Sequence, residues 1–303
     1  MTLLRDNGLP WPKISIVTPS YNQALFLEET IRSVLMQGYP NLEYIIIDGG
    51  STDGSVEIIK KYEPWLSVWV SENDKGQSHV INKGFQHASG EIMAWINSDD
   101  YYAENAFEKV AATSIENPES LWFAGLTNQV NFEGKVIQPG RKYEEELTNW
   151  YVGSPYLQQG IFWRRSLWDL NGDLDERLHY SFDYDMLMRF IQHQPFATWI
   201  DAHLANFRIH PESKTNKDQL KFMKERQKIY RRYPIRIKSF SSRFRIWKKR
   251  QERKAKIYMK LEKDEFPLYK KLWHIFWVTP WYFVRINFLY WIKLRITGQE
   301  ERD

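Results

Sequence analysis

Short apolar runs alternate with segments of helical period along the first hundred residues. Ile14-Ser-Ile-Val-Thr18 is followed by a helical pattern from about Ala24 to Gln37, then by Glu43-Tyr-Ile-Ile-Ile47. Leu66 to Ser71 reads as a strand, Gln77 to His87 as a helix and Glu91 to Ile96 as a further strand. Alternation at this spacing predicts βαβ units and a largely parallel sheet. Each strand runs into polar or turn-forming residues: Pro19-Ser-Tyr-Asn22, Asp48-Gly-Gly-Ser-Thr-Asp-Gly54, Asn73-Asp-Lys-Gly76 and Asn97-Ser-Asp-Asp100. In an open sheet of this class, ligands bind beyond the carboxyl ends of the strands. The turns therefore share the edge where chemistry is expected.

The pair Asp99 and Asp100 is the most telling of these signals. Two adjacent carboxylates do not easily both ionise unless a cation lies between them, or water. Hard oxygen donors favour Mg²⁺ or Mn²⁺, ions that join one or two carboxylates to a substrate's phosphates. The competing reading is a solvated turn that caps the next helix. Gly49, Gly50 and Gly54 read as turn geometry, since they do not spell the dinucleotide fingerprint.

Composition narrows the class. The chain has no cysteine, which excludes disulfides, zinc–thiolate sites and thiol catalysis. Its first residues lack the basic start and apolar core of a secretory leader, so the cytoplasm is the expected compartment. Charge is unevenly distributed. Residues 1–216 hold 17 Lys/Arg against 29 Asp/Glu, a net −12, whereas residues 217–303 hold 25 against 9, a net +16. Such asymmetry predicts a division near Asn216 and an anionic partner for the last part. Asp218–Tyr233 and Arg243–Lys263 have helical patterns rich in cations. Leu272–Ile292 contains nine aromatics and one charged residue, Arg285. Its length approaches a membrane span, but Pro280 breaks the helix and Arg285 is costly in hydrocarbon. In-plane helices on the inner face of the cell membrane are the favoured reading, with a dimerisation arm (a homodimer) or a packed helical subdomain as alternatives. No nucleic-acid recognition motif accompanies the charge.

Several segments, taken in order, resemble family-2 glycosyltransferases of the GT-A fold. They are Ile16-Val-Thr-Pro-Ser-Tyr-Asn22, Ile45–Gly54, Asp74-Lys-Gly-Gln77 with Asn82-Lys-Gly84, Ala88–Glu91 leading into Asn97–Asp100, Phe182-Asp-Tyr-Asp185 and Arg208-Ile-His-Pro211. The resemblance spans roughly residues 13–215 and implies an α/β fold: a Rossmann-like, mostly parallel sheet flanked by helices, followed by a basic, aromatic-rich helical extension. It further implies inverting transfer from a nucleotide-sugar donor to a glycan or lipid-linked acceptor, with UDP favoured because the base-pocket residues resemble uridine binders. In the same resemblance Thr18, Pro19, Tyr21, Asp48, Lys75 and Asp99 fall at nucleotide-binding positions, and Asp99, Asp100 and His210 at metal positions. The more acidic family versions carry Asp where this chain has Asn97. Asp183 falls at the position of the catalytic base, with Asp185 as runner-up, although Phe182 replaces the family's preceding acid. Arg189, on the same helix, is expected to hold an acid in place. Trp150-Tyr151 and Tyr156–Gly160 are expected on the acceptor side. A nucleotidyltransferase of related topology and an inactive sugar-nucleotide-binding scaffold are the alternative functions.

Overall fold

The computed structural model describes residues 8–142, 145–214, 218–233 and 240–260. Strands β1 (Ile14–Ser20), β2 (Leu42–Asp48), β3 (Val68–Ser71) and β4 (Ile92–Trp95) pair in parallel in the order β3-β2-β1-β4. Every residue of β1 and β4 is buried, which explains their continuous apolar runs: a parallel strand is covered on both faces. From β1 the chain moves outward to β2 and β3 and then returns to place β4 on the other flank. This reversal leaves a crevice at the carboxyl ends of β1 and β4.

Beyond β4 the sheet becomes mixed. β8 (Ile161–Arg164) runs antiparallel to β4 and to β6 (Trp122–Val130). β9 (Thr198–Arg208) is parallel to β6, and β5 (Tyr101–Tyr102) lies at the edge, antiparallel to β9. β7 (Val136–Gln138) pairs with β6. The helices up to Phe190 are α1 (Ala24–Leu35), α2 (Ser55–Tyr62), α3 (Gln77–His87), α4 (Ala106–Glu116), the short α5 (Leu147–Trp150), α6 (Arg165–Asn171) and α7 (Phe182–Phe190).

Helix α1 buries Phe26, Leu27, Ile31 and Val34, one apolar stripe of helical period. Its first amides are capped from the next loop rather than by its own N-cap residue. Asp53 accepts from the Ala24 amide (2.9 Å), Ser55 Oγ from Gln23 (3.1 Å) and Ser51 Oγ from Asn22 (2.8 Å). Asn22 returns the contact by accepting from the Thr52 amide at 2.9 Å, with its own backbone at φ 50°, a left-handed conformation in which Asn is enriched among non-glycine residues. The turns after β1 and β2 are thereby joined. On the other face, a Cβ at Gly84 of α3 would fall 2.4 Å from Val17, so that helix lies directly on β1.

Much of the tryptophan is core. Trp95, Trp122 and Trp163 are at most 1% exposed. Trp163 packs edge-on to Trp95 (5.5 Å between centroids) and to Phe190 (5.7 Å), while Phe182 lies 6.3 Å from Trp95. Phe182, which replaces an acid in the family pattern, thus anchors the start of α7 to β4.

The chain divides into two compact units, 1–147 with 154–218 and 148–153 with 219–303. In the second unit lie the helices Gln219–Arg232 and Phe240–Lys260. Tyr230 and Arg253 both donate to the Val152 carbonyl (3.2 and 3.0 Å), and Arg250 donates to that of Tyr151 (2.5 Å). The Arg250 guanidinium also sits 3.5 Å from the Tyr230 ring centroid. Trp150 and Tyr151, expected on the acceptor side, therefore belong to this unit. Among the described residues no helix is long and apolar enough to cross a membrane; the segment 272–292, with Pro280 and Arg285, lies outside them.

A carboxylate staple closes the amino-terminal edge of the sheet. Glu43 of β2 accepts from Lys13 Nζ (2.6 Å), Ser15 Oγ (2.5 Å), the Ser89 amide (2.6 Å) and Ser89 Oγ (2.7 Å). Burial works to raise its pKa, but these donors outweigh it and hold the group at about 2. A carboxylate depressed in the folded state contributes stability above its unfolded pKa and loses it as pH falls through the folded value. We expect Glu43→Gln to destabilise the protein by about 1–3 kcal/mol at neutral pH. In urea unfolding, its deficit relative to the parent should shrink as pH falls from 4.5 towards about 2; a pH-independent deficit would contradict this assignment.

Candidate functional site

The site is assembled where β1, β2, β4 and β9 end. Immediately after β4, Asn97-Ser-Asp-Asp100 turns back across the crevice, and the turn is closed by the Asp100 amide donating to Asn97 O at 3.1 Å. Asp100 is wholly buried. One carboxylate oxygen accepts from the Arg208 amide (2.8 Å); the other accepts from Gln159 Nε2 (2.7 Å) and Asn97 Nδ2 (3.1 Å). Its main-chain carbonyl accepts from Thr30 Oγ1 at 2.6 Å. Burial and the neighbouring Asp99 push the Asp100 carboxyl well above the usual range. Asp100, expected as a metal ligand, is enclosed by protein donors on both oxygens.

Asp99 is different. Its side chain is 19% exposed, and its Oδ2 lies 3.0 Å from Nε2 of the buried His210. His210 follows β9 and packs on Phe26 of α1, with 5.0 Å between ring centroids. Arg208, two residues earlier, fixes this geometry. Its guanidinium donates to the carbonyls of Asp99 (3.0 Å) and Phe132 (2.6 Å), pairs with Glu29, and lies 4.9 Å from the Phe26 ring centroid. Asp99 and His210 are thus brought together from strands that are not neighbours in the sheet.

A second chain of hydrogen bonds leads outward from Asp100. Asn97 Oδ1 accepts from Gln77 Nε2 (2.8 Å), and Gln77 Oε1 accepts from the exposed Lys214 (2.9 Å). Asn97 therefore connects the turn to α3. Arg208 and Gln159 carry no signal in the sequence beyond their place in quoted motifs, and Gln77 and Lys214 are equally unmarked. Partners separated by 59 or 108 residues emerge only from the fold.

The residues expected to bind a nucleotide lie on the same edge but differ in availability. Tyr21 is 59% exposed. It flanks Gly49, where a Cβ would fall 1.9 Å from Asp74 Oδ2 and 3.4 Å from Tyr21 Cδ2; glycine is required for the loops after β1, β2 and β3 to meet. Thr18 is buried with its hydroxyl 3.0 Å from that of Tyr44, and Pro19 is buried beyond the last β1–β4 pair. Asp48 is also buried and is occupied by the Gly50 and Ser51 amides and the Ser51 and Ser71 hydroxyls, at 2.5–3.1 Å. As placed, it shapes the turn. Lys75 is exposed between β3 and α3.

On α7, Asp183 is half-buried in the first turn. Asp185 is buried and pairs with Arg189 one turn on, at 3.4 Å. Arg189 also donates to the carbonyls of Asn171 and Gly172, so the Asp185–Arg189 pair fixes α7 to the end of α6.

Comparison with known proteins agrees with this architecture. Residues 15–169 match the family described as Glycosyl transferase family 2, and the chain belongs to that family. It is 27% identical over 219 residues to an uncharacterized glycosyltransferase of Rickettsia typhi, covering 68% of this chain and 66% of that one. It is 28% identical over 144 residues to the UDP-Glc:alpha-D-GlcNAc-diphosphoundecaprenol beta-1,3-glucosyltransferase WfgD of Escherichia coli, covering 46% and 57%. The chain thus spans between about half and two thirds of the length of the curated relatives it matches. Its fold is similar to that of S. aureus TarS 1-349 in complex with UDP-GlcNAc: TM-score 0.61, 20% identity, covering 84% and 77% of the two chains. The α/β architecture is the GT-A fold.

The two acids should separate experimentally. Either orientation of an amide at position 100 sets an NH₂ against an existing donor, so Asp100→Asn should cost about 1–3 kcal/mol in urea unfolding. Asp99→Asn, whose amide oxygen can still face His210 Nε2, should cost less than Asp100→Asn in the same measurement. Unchanged stability of Asp100→Asn would show that its three donors do not fix the turn.

Proposed function

We propose that this protein is an inverting glycosyltransferase that moves a sugar from a nucleotide-diphosphate donor, with UDP-sugar favoured, to a glycan or lipid-linked acceptor in polysaccharide or glycolipid synthesis. The observation that carries the reading is the Asp99–His210 pair at the crevice of a GT-A sheet. The donor named for the TarS complex and the UDP-Glc and lipid diphosphate named for WfgD support this donor and acceptor chemistry. We place the reaction at the cytoplasmic face of the membrane, where a lipid-linked acceptor presents its polar end.

The residues fit a divalent cation. A part-exposed carboxylate beside one imidazole nitrogen is an acceptable donor set for Mn²⁺ or Mg²⁺. Substrate phosphates and water would complete the coordination of such an ion. Asp99 and His210 would hold it, and such an ion would neutralise charge on the departing diphosphate. Asp100 serves as the positioning acid. Tyr21 offers its exposed ring to the base, the backbone around Thr18 and Pro19 offers polar contacts, and Lys75 is available to the nucleotide. Asp48, enclosed in its turn, shapes that pocket.

Asp183 acts as the base. It removes the proton from an acceptor hydroxyl, whose oxygen attacks the anomeric carbon opposite the diphosphate. A glycosidic C–O bond forms as the C–O bond to phosphate breaks, the nucleotide diphosphate leaves with the electron pair, and the anomeric configuration inverts. Asp185, paired with Arg189, anchors the helix that carries Asp183.

Asp183→Asn should leave nucleotide binding nearly intact and lower transfer by a factor on the order of 10² or more. NMR of the product should show the anomeric configuration opposite to the donor. Retention would sink the single displacement, and full activity of Asp183→Asn with inactive Asp185→Asn would move the base two residues along.

A further inference from the structure

The helix Phe240–Lys260 carries an outer face that the transfer reaction does not use. Phe244 and Trp247, one turn apart, are 44% and 42% exposed and lie against each other, with 5.6 Å between centroids and 28° between planes. Arg243, Arg245, Lys248 and Lys249 around them are all exposed. Ile246, on the inner side, is 1% exposed. Burial on one side and paired aromatics among cations on the other give this stretch two distinct faces.

We infer that Phe244 and Trp247, with the cations beside them, dock this helix in the plane of an anionic bilayer. Aromatic side chains favour the headgroup boundary, where the apolar ring enters and the indole N–H stays hydrated. Long cationic side chains extend to lipid phosphates while their stems lie along apolar surface. Anionic nucleic acid would also attract the charge. The sequence distinguishes the two partners: residues 272–292 follow with nine aromatics and a single charge, a composition that suits a lipid surface and not a phosphate backbone. Residues 217–303 together carry a net +16, so an anionic leaflet complements the whole extension. The inference gives the proposed membrane-side reaction its means of attachment and rests on that reading only for its purpose.

The test uses the full chain and vesicles without donor or acceptor, so that docking is read apart from transfer. Flotation with mixed phosphatidylcholine–phosphatidylglycerol vesicles is compared for the parent and for Phe244→Gln with Trp247→Gln, both changes on an exposed face. We expect the double variant to bind about tenfold or more weakly, as loss of two interfacial aromatics requires, with unchanged helical circular dichroism. Arg243→Gln with Lys249→Gln should bind less and with a shallower dependence on salt; this second pair decides the matter if the first misfolds. Equal vesicle binding by the parent and both variants overturns the inference, as does binding of the parent to poly(U) with no binding to the vesicles. Loss of docking with retained nucleotide-sugar binding supports docking alone. Failure to bind nucleotide sugar while docking persists counts against the proposed reaction instead.

Discussion

A carboxylate removed from water needs donors around both oxygens, and Asp100 recruits them from three places: its own turn, the Gln159 side chain and the backbone of Arg208. An uncompensated buried acid is among the most expensive groups a fold can carry. The turn after β4, the start of β8 and the end of β9 are therefore held in one arrangement. Asp99 is the residue that benefits. With its neighbour fixed inward and its own carbonyl held by Arg208, its side chain has a defined direction towards His210.

Aromatic packing performs the corresponding task for α7. The path from Trp95 through Trp163 to Phe190, together with Phe182 on Trp95, ties both ends of the helix to the strand that delivers Asp99. The helix bearing Asp183 and the turn bearing Asp99 are consequently positioned by one hydrophobic cluster, so their separation depends on core packing rather than on loops.

The parallel half of the fold is legible because its cause is local. β1 to β4 are apolar runs whose periodicity changes at each turn, and α3 spans the very residues 77–87 that the pattern predicts. The strands after Asp100 left a weaker trace. β5 is two residues long, β6 alternates only loosely, and β8 joins the sheet through Gln158–Gly160 and a single short antiparallel run. Among candidate site residues, type and order pointed alike to Asp48, Asp99, Asp100, Asp183 and His210. They did not show that Asp48 and Asp100 are enclosed, because burial of a carboxylate depends on donors such as Ser71 and Gln159 that lie far away in sequence.

The six-residue stretch 148–153 has a consequence for how this chain could be taken apart. It belongs to the same unit as residues 219–303 although it is flanked on both sides by the sheet-bearing part. The polypeptide therefore passes between units three times, and no single cut separates them. Shortening the chain at residue 218 would strip the Tyr151 and Val152 carbonyls of Tyr230, Arg250 and Arg253. A minimal sheet-bearing module would need a redesigned connection in place of 148–153, and a graft of the helical unit onto another protein would have to bring that connection with it.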